Sequence, residues 1–226
     1  MKVIIKFISV LITIMVPFIL IMTAIRLLIN PLFLQLEYNL PNFPPDPYGF
    51  TTADRLKWGE LSMNYLVNAE PDDYLATLQF EDGTALYNQR ELGHMLDVRV
   101  LVKSALTAWY ILLGVLLISG LVLWKTGYLK ELWAAITWGG WLTMGLIFMV
   151  ILSTFIDFSA LFTAFHGLFF EGDTWLFYES DTLIRLYPLK FWSDAFIYVG
   201  IMTVIGALLC VVIPGRLLRK AEKTGR

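Results

Sequence analysis

Cysteine occurs once in this 226-residue chain, as Cys210, and histidine twice, as His94 and His166. A single cysteine excludes an internal disulfide and any paired-thiol metal site. Cys210 also lies in an apolar run, where a thiolate is poorly stabilised. There is no glycine-rich phosphate loop, no His-Glu-x-x-His and no Gly-x-Ser-x-Gly elbow. Nothing in the chain is built to bind a nucleotide or nucleic acid. A metal on His94, His166 and nearby carboxylates lacks local ligand spacing, and a bis-histidine haem would need facing, membrane-inserted imidazoles. No metal and no cofactor are therefore expected.

Charge is also scarce, at 16% of residues against 58% hydrophobic and 15% aromatic. That balance excludes an ordinary soluble domain and fits a polytopic membrane protein. A membrane-crossing helix needs about 20 mostly apolar residues. Four runs qualify, at about 3–29, 105–124, 132–156 and 195–213. The first begins like a signal peptide, with Lys2 and Lys6 before an apolar core. It is too long for one and lacks a small-residue cleavage site, so it reads as an uncleaved anchor. The expected fold is an all-α membrane protein: four transmembrane helices and a structured extracytoplasmic cap in a single integral membrane domain, 1–226.

Lysine and arginine give the orientation. Lys2, Lys6, Lys125, Lys130 and the tail Arg216, Arg219, Lys220, Lys223 and Arg226 all flank one side, which the positive-inside rule makes cytoplasmic. Two longer segments, 30–104 and 157–194, fall on the other side and hold 17 of the 19 acidic residues. Arg26, Arg99 and Lys103 run against the rule. The chain is expected to be a multi-pass protein of the bacterial cytoplasmic membrane, with both termini inside and its site on the extracytoplasmic face.

The first outer segment opens with Pro41, Pro44, Pro45 and Pro47, an extended connection. Thr51 and Asp54 form a capping-box pattern ahead of an amphipathic helix bearing Leu56, Leu61, Tyr65 and Leu66. That helix either lies on the membrane surface or packs on the ends of the bundle. A loop over 71–83 follows, with a short strand or hairpin around 77–86. From Asn88 the chain turns helical and runs into the second span. Glu91, His94 and Asp97 share one face of that helix, with Arg90 four residues before the histidine. The second outer segment carries Phe165, His166, Asp173, Trp175, Asp181, Arg185, Pro188, Phe191 and Trp192. Its aromatics suit an interfacial belt, whereas a belt alone needs none of its polar residues.

Both histidines sit where a carboxylate-rich segment meets a long apolar run, on the same side of the membrane. Imidazole exchanges protons near neutral pH, so the chemistry on offer is acid–base work at the outer membrane–water boundary, worth about 10²–10⁴-fold.

The strings Glu91-Leu92-Gly93-His94-Met95-Leu96-Asp97-Val98, Phe165-His166 through Trp175, and Asp181-Thr182-Leu183-Ile184 with Pro188 and Phe191-Trp192 resemble a family of small bacterial four-helix integral membrane proteins. That family, formerly of unknown function, includes the lipoprotein intramolecular transacylase, and the resemblance covers essentially the whole chain. It implies a membrane acyltransferase acting on lipid-modified bacterial lipoproteins among membrane lipids. The sn-2 acyl chain of the diacylglyceryl-cysteine would move to the cysteine's own amine, leaving a lyso-form lipoprotein. His94 and His166 match the family's two functional histidines. The implied assignment makes His94, flanked by Glu91 and Asp97, the base, and His166 the oxyanion stabiliser or leaving-group acid, with the roles exchangeable. Arg185 is a candidate for oxyanion or headgroup contacts and Trp175 for substrate positioning, with Asp173 and Asp181 in support. The alternative is a non-enzymatic membrane scaffold or a small-molecule transporter. A transporter should place ionisable groups near the middle of its spans, and the last three spans carry no charge there.

Overall fold

A computed structural model describes the backbone of residues 2–223 and the side chains of 2–219. Arg226, counted above in the cationic tail, lies outside the described residues, as do the side chains of Lys220 and Lys223. Among the described residues eight α-helices follow in order: α1 Lys2–Leu28, α2 Pro31–Tyr38, α3 Thr52–Tyr65, α4 Gln89–Lys125, α5 Leu129–Ile156, α6 Phe158–Phe169, α7 Thr182–Leu186 and α8 Leu189–Lys223. Among the described residues the only extended pairing is one antiparallel bridge, Gln79 with Ala85, beside a 3-10 turn at Tyr74–Thr77. The bonds Phe80 N–H to Thr84 O and Leu86 N–H to Leu78 O make this the short hairpin anticipated around 77–86.

Among the described residues, helices α1, α4, α5 and α8 are the four long enough and apolar enough to cross a membrane. Helices α4 and α8 run well beyond their apolar runs, α4 at its N-terminal end and α8 at both ends. At about 1.5 Å per residue, the 37 residues of α4 reach about 55 Å, well beyond a hydrocarbon core of about 30 Å. Helical bonding does not stop where the apolar run begins at 105, and Arg90, Glu91, Asp97, Arg99 and Lys103 ride on the polar part before it.

The chain divides into two compact units. The first comprises residues 1–26, 106–155 and 197–226. Its core gathers Ile5, Ile12, Val16, Leu123, Leu132 and Ala135, with Cys210 against it. Small residues let backbones close up: a Cβ at Gly139 would stand 2.6 Å from Val16 Cβ, and one at Gly140 would stand 2.8 Å from the Ala207 carbonyl oxygen. Close approach at glycine is how helices associate where lipid is as apolar as leucine.

The second unit comprises 27–105 and 156–196. Helix α3 starts with a full capping box: Thr51 Oγ1 accepts from Asp54 N–H, and Asp54 Oδ2 accepts from Thr51 N–H. Its buried face carries Trp58 and Tyr65 into a core with Leu75, Leu86, Tyr87, Met95, Leu183 and Leu186. Three hydroxyls of this unit are tied to backbone carbonyls, as burial favours. Thr182 Oγ1 donates to Leu86 O (2.6 Å), Tyr187 OH to Gly59 O (2.8 Å) and Tyr38 OH to Leu186 O (3.0 Å). These bonds fix the short α7 against α2, α3 and the segment just before α4, and so fix the turn that precedes α7.

Candidate active site

His94 projects from the polar part of α4 and His166 from α6, and the fold brings their rings to 6.1 Å between centroids, nearly parallel at 25°. Helix α6 starts because Asp157 caps it, its side chain accepting from Ala160 N–H (2.9 Å). It ends one turn after His166, and Gly172 (φ +63°) then turns the chain back. Both histidines are buried, 8% and 9% exposed. Their surroundings are aromatic. Phe170 and Phe177 meet His94 edge-on at 4.9 and 5.3 Å, and Phe162 and Trp175 lie against His166 at 4.1 and 4.7 Å.

His166 is oriented. Its Nδ1 stands 2.8 Å from the Phe162 carbonyl oxygen one turn earlier. A carbonyl oxygen only accepts, so the neutral ring carries its proton on Nδ1 and leaves the Nε2 lone pair free, the tautomer-setting arrangement of a general base. Burial lowers the His166 pKa, with the Phe162 carbonyl pulling partly the other way. His94 differs. Its Nδ1 is buried with no hydrogen-bond partner. Desolvation first, and the neighbouring His166 second, hold its pKa down at about 4. At neutral pH both rings are uncharged, and His94 is the weaker base.

The other residues singled out from sequence divide sharply. Trp175 joins the histidines. Asp173 sits two residues earlier, its carboxylate 3.1 Å from Arg90, whose guanidinium also donates to the Asp173 carbonyl. Arg90 thus ties the 171–176 turn to α4 one turn before His94. Glu91 shares a helix face with His94, yet its carboxylate serves two helix starts. One oxygen accepts from Asn88 N–H (2.8 Å) and the other from Leu183 N–H in α7 (2.7 Å). Asp181 accepts from Asn88 Nδ2 (3.0 Å) and Tyr178 N–H (2.8 Å). Asp97 is exposed. Arg185 is committed to Asp46 (3.0 Å) and the Tyr48 carbonyl, with its guanidinium over the Phe50 ring. Sequence reasoning missed the Phe162 carbonyl and the box of Phe170 and Phe177. The carbonyl is the group four residues back on the same helix, visible in sequence only once 158–169 is read as a helix. Among the described residues no group of three or more His, Cys, Asp or Glu could hold a metal ion.

The arrangement offers one base with a fixed tautomer, one neutral imidazole able to donate, and a dry aromatic enclosure. Known proteins similar to this chain bear on its fold and family. A curated relative from Aquifex aeolicus, described only as an uncharacterized protein, is 28% identical over 96% of this chain and 97% of its own length. Among solved structures, the membrane integral lipoprotein intramolecular transacylase Lit from Bacillus cereus superposes with a TM-score of 0.84 at 21% identity, covering 99% of this chain and all of that one. The same protein with a histidine replaced by arginine gives 0.76 at 19% identity, covering 100% of this chain and 96% of that one. At these identities the structures establish the fold. The family model described as lipoprotein intramolecular transacylase Lit matches residues 10–192. The chain belongs to the lipoprotein intramolecular transacylase family.

Proposed function

We propose that this membrane acyltransferase moves the sn-2 acyl chain of a diacylglyceryl-cysteine lipoprotein to that cysteine's α-amino group, with His166 as general base and His94 as electrophile. The reaction takes place at the extracytoplasmic face of the cytoplasmic membrane, where such lipoproteins present their new N-termini. The amine nitrogen attacks the ester carbonyl carbon. His166 Nε2 takes the proton that nitrogen sheds, and the imidazolium passes it to the sn-2 glycerol oxygen as the C–O bond breaks. The products are an amide and a free hydroxyl, and the histidine returns neutral. A depressed pKa suits the second half, because the imidazolium is then the stronger acid. His94, the weaker base, stays neutral and donates an N–H to the carbonyl oxygen, as neutral imidazoles do elsewhere.

Little else is needed. Ester and amine belong to one molecule, and oriented intramolecular reactions reach effective molarities of about 10⁵–10⁸ M. With an amine of pKa about 8, holding it neutral at pH 7 costs about 1.4 kcal/mol. The observation that carries the reading is that the chain's two histidines, on different helices, share one enclosure with His166 Nδ1 spent on a carbonyl.

The test is mass spectrometry of lipoprotein N-terminal peptides from cells with and without this protein, and with H94A and H166A. Lyso-form peptides should require the wild-type chain, and each alanine should remove most of the activity. Because the two rings act as a unit, the double variant should lose little more. Undiminished conversion by the double variant refutes the reading.

A further inference from the structure

Two buried nitrogens of the histidine enclosure lack a hydrogen-bond partner: Nδ1 of His94 and Nε1 of Trp175. The second has no part in the mechanism above. Indole nitrogen is a donor only, and a buried donor left unmade is unfavourable. The rings of Phe162, Phe170 and Phe177 offer it no acceptor. Trp175 is held there by structure. Gly172 takes a left-handed φ of +63° to reverse the chain, Thr174 Oγ1 donates to Glu171 O (3.1 Å), and Leu176 N–H donates to Asp173 O (2.9 Å). Arg90 of α4 grips Asp173 at both its carboxylate and its carbonyl. The indole ring therefore lies 4.7 Å from the His166 ring, tilted by 31°, with its N–H sealed from solvent. A polar donor fixed in advance, in an apolar enclosure, beside the base, is the arrangement that stabilises charge developing in a transition state.

We propose that Trp175 is a catalytic donor: its Nε1–H bonds the carbonyl oxygen of the sn-2 ester and stabilises the negative charge that oxygen gains in the tetrahedral intermediate. This rests on the transacylase reading above. Trp175 keeps its proton throughout, and His94 supplies the second donor to the same oxygen. The amine–carbon bond forms and the ester C–O bond breaks with Trp175 chemically unchanged.

The experiment measures kcat and KM with a synthetic diacyl lipopeptide and purified full-length protein, wild type against W175F. Phenylalanine keeps an aromatic ring beside His166 and deletes only the donor. The expected loss is about 10²–10³-fold in kcat, the range for one oxyanion donor, with KM changed by less than about threefold. A W175F enzyme with wild-type kcat overturns the proposal, and so does a rise in KM alone, which would mark the ring as a uniform binder. A wild-type enzyme that leaves the lipopeptide unconverted overturns the transacylase reading itself, and this proposal with it. A second measurement stands if W175F does not fold. In 15N-indole-labelled wild type, an N-acetylated diacyl lipopeptide, unable to react, should move the Trp175 Hε1 resonance downfield. The same lipopeptide with an sn-2 ether should not. The resonance is identified by its proximity to the His166 ring, and an equal shift with ester and ether refutes the donor role.

Discussion

Replacing Glu91 by glutamine separates two roles that its position alone leaves entangled. Three residues before His94 on one helical face, Glu91 is placed to assist an imidazole. In the structure its carboxylate, 2% exposed, instead accepts from Asn88 N–H at 2.8 Å and from Leu183 N–H at 2.7 Å. Burial raises its pKa, while these two N–H bonds pull it back down. Glutamine has the same shape but one accepting oxygen, so one of the two backbone donors must face an amide NH₂. A buried donor left unmade costs about 1–3 kcal/mol, and exchanging a charge-assisted bond for a neutral one costs about 1 kcal/mol more. The total is about 2–4 kcal/mol, or about 4–16 °C in Tm at about 2–4 °C per kcal/mol for a chain of this size. The assay pairs a thermal unfolding scan in detergent with intact-mass measurement of lipopeptide conversion, normalised to folded protein. Tm should fall by that amount, and kcat per folded molecule should stay within about threefold, since no bond joins Glu91 to either imidazole. A wild-type Tm with a 10²-fold loss of kcat would refute this reasoning and return Glu91 to the chemistry of His94.

Acid should titrate the enzyme late. Because burial lowers the His166 pKa, its neutral, proton-accepting form persists below 6.5. Protonation of the substrate amine, of pKa about 8, sets one acid limb of kcat/KM, and His166 should add a second only as pH drops through its own lowered value; a second limb centred above 6.5 would count against His166 as the base. The same sign applies to stability: the contribution of neutral His94 is complete above about 6.5 and lost as pH falls through about 4, a change of about 3 kcal/mol measurable by unfolding at graded pH. In the membrane-crossing unit, Gly140→Ala places a Cβ 2.8 Å from the Ala207 carbonyl oxygen and should cost about 1–3 kcal/mol. Gly145→Ala, where a Cβ meets nothing within 4 Å, should leave Tm unchanged or slightly raised, and equal effects at the two glycines would refute the close approach.

Sequence alone carried the elements that depend on local composition. The four spans, the capping box at Thr51 and Asp54, and the turn near 77–86 rest on hydropathy, hydrogen-bonding groups and chain chemistry within a few residues, and each stands in the structure. Scarcity carried the site as well. With only His94 and His166 available for proton exchange near neutral pH, both at the same edge of the apolar runs, their pairing was legible before any coordinates. Partners from distant chain were not. Helical periodicity states which residues share a face, but not where a side chain turns or what meets it. Glu91 is spent on a backbone N–H 92 residues further along the chain, and Arg185 on Asp46, 139 residues back. The difference between the two imidazoles likewise needed the structure, because a proton settles on the nitrogen with an acceptor in reach. His166 has the Phe162 carbonyl, local once 158–169 is helical, while His94 Nδ1, closed in by Phe170 at the C-terminal end of α6 and by Phe177 in the loop beyond it, has none.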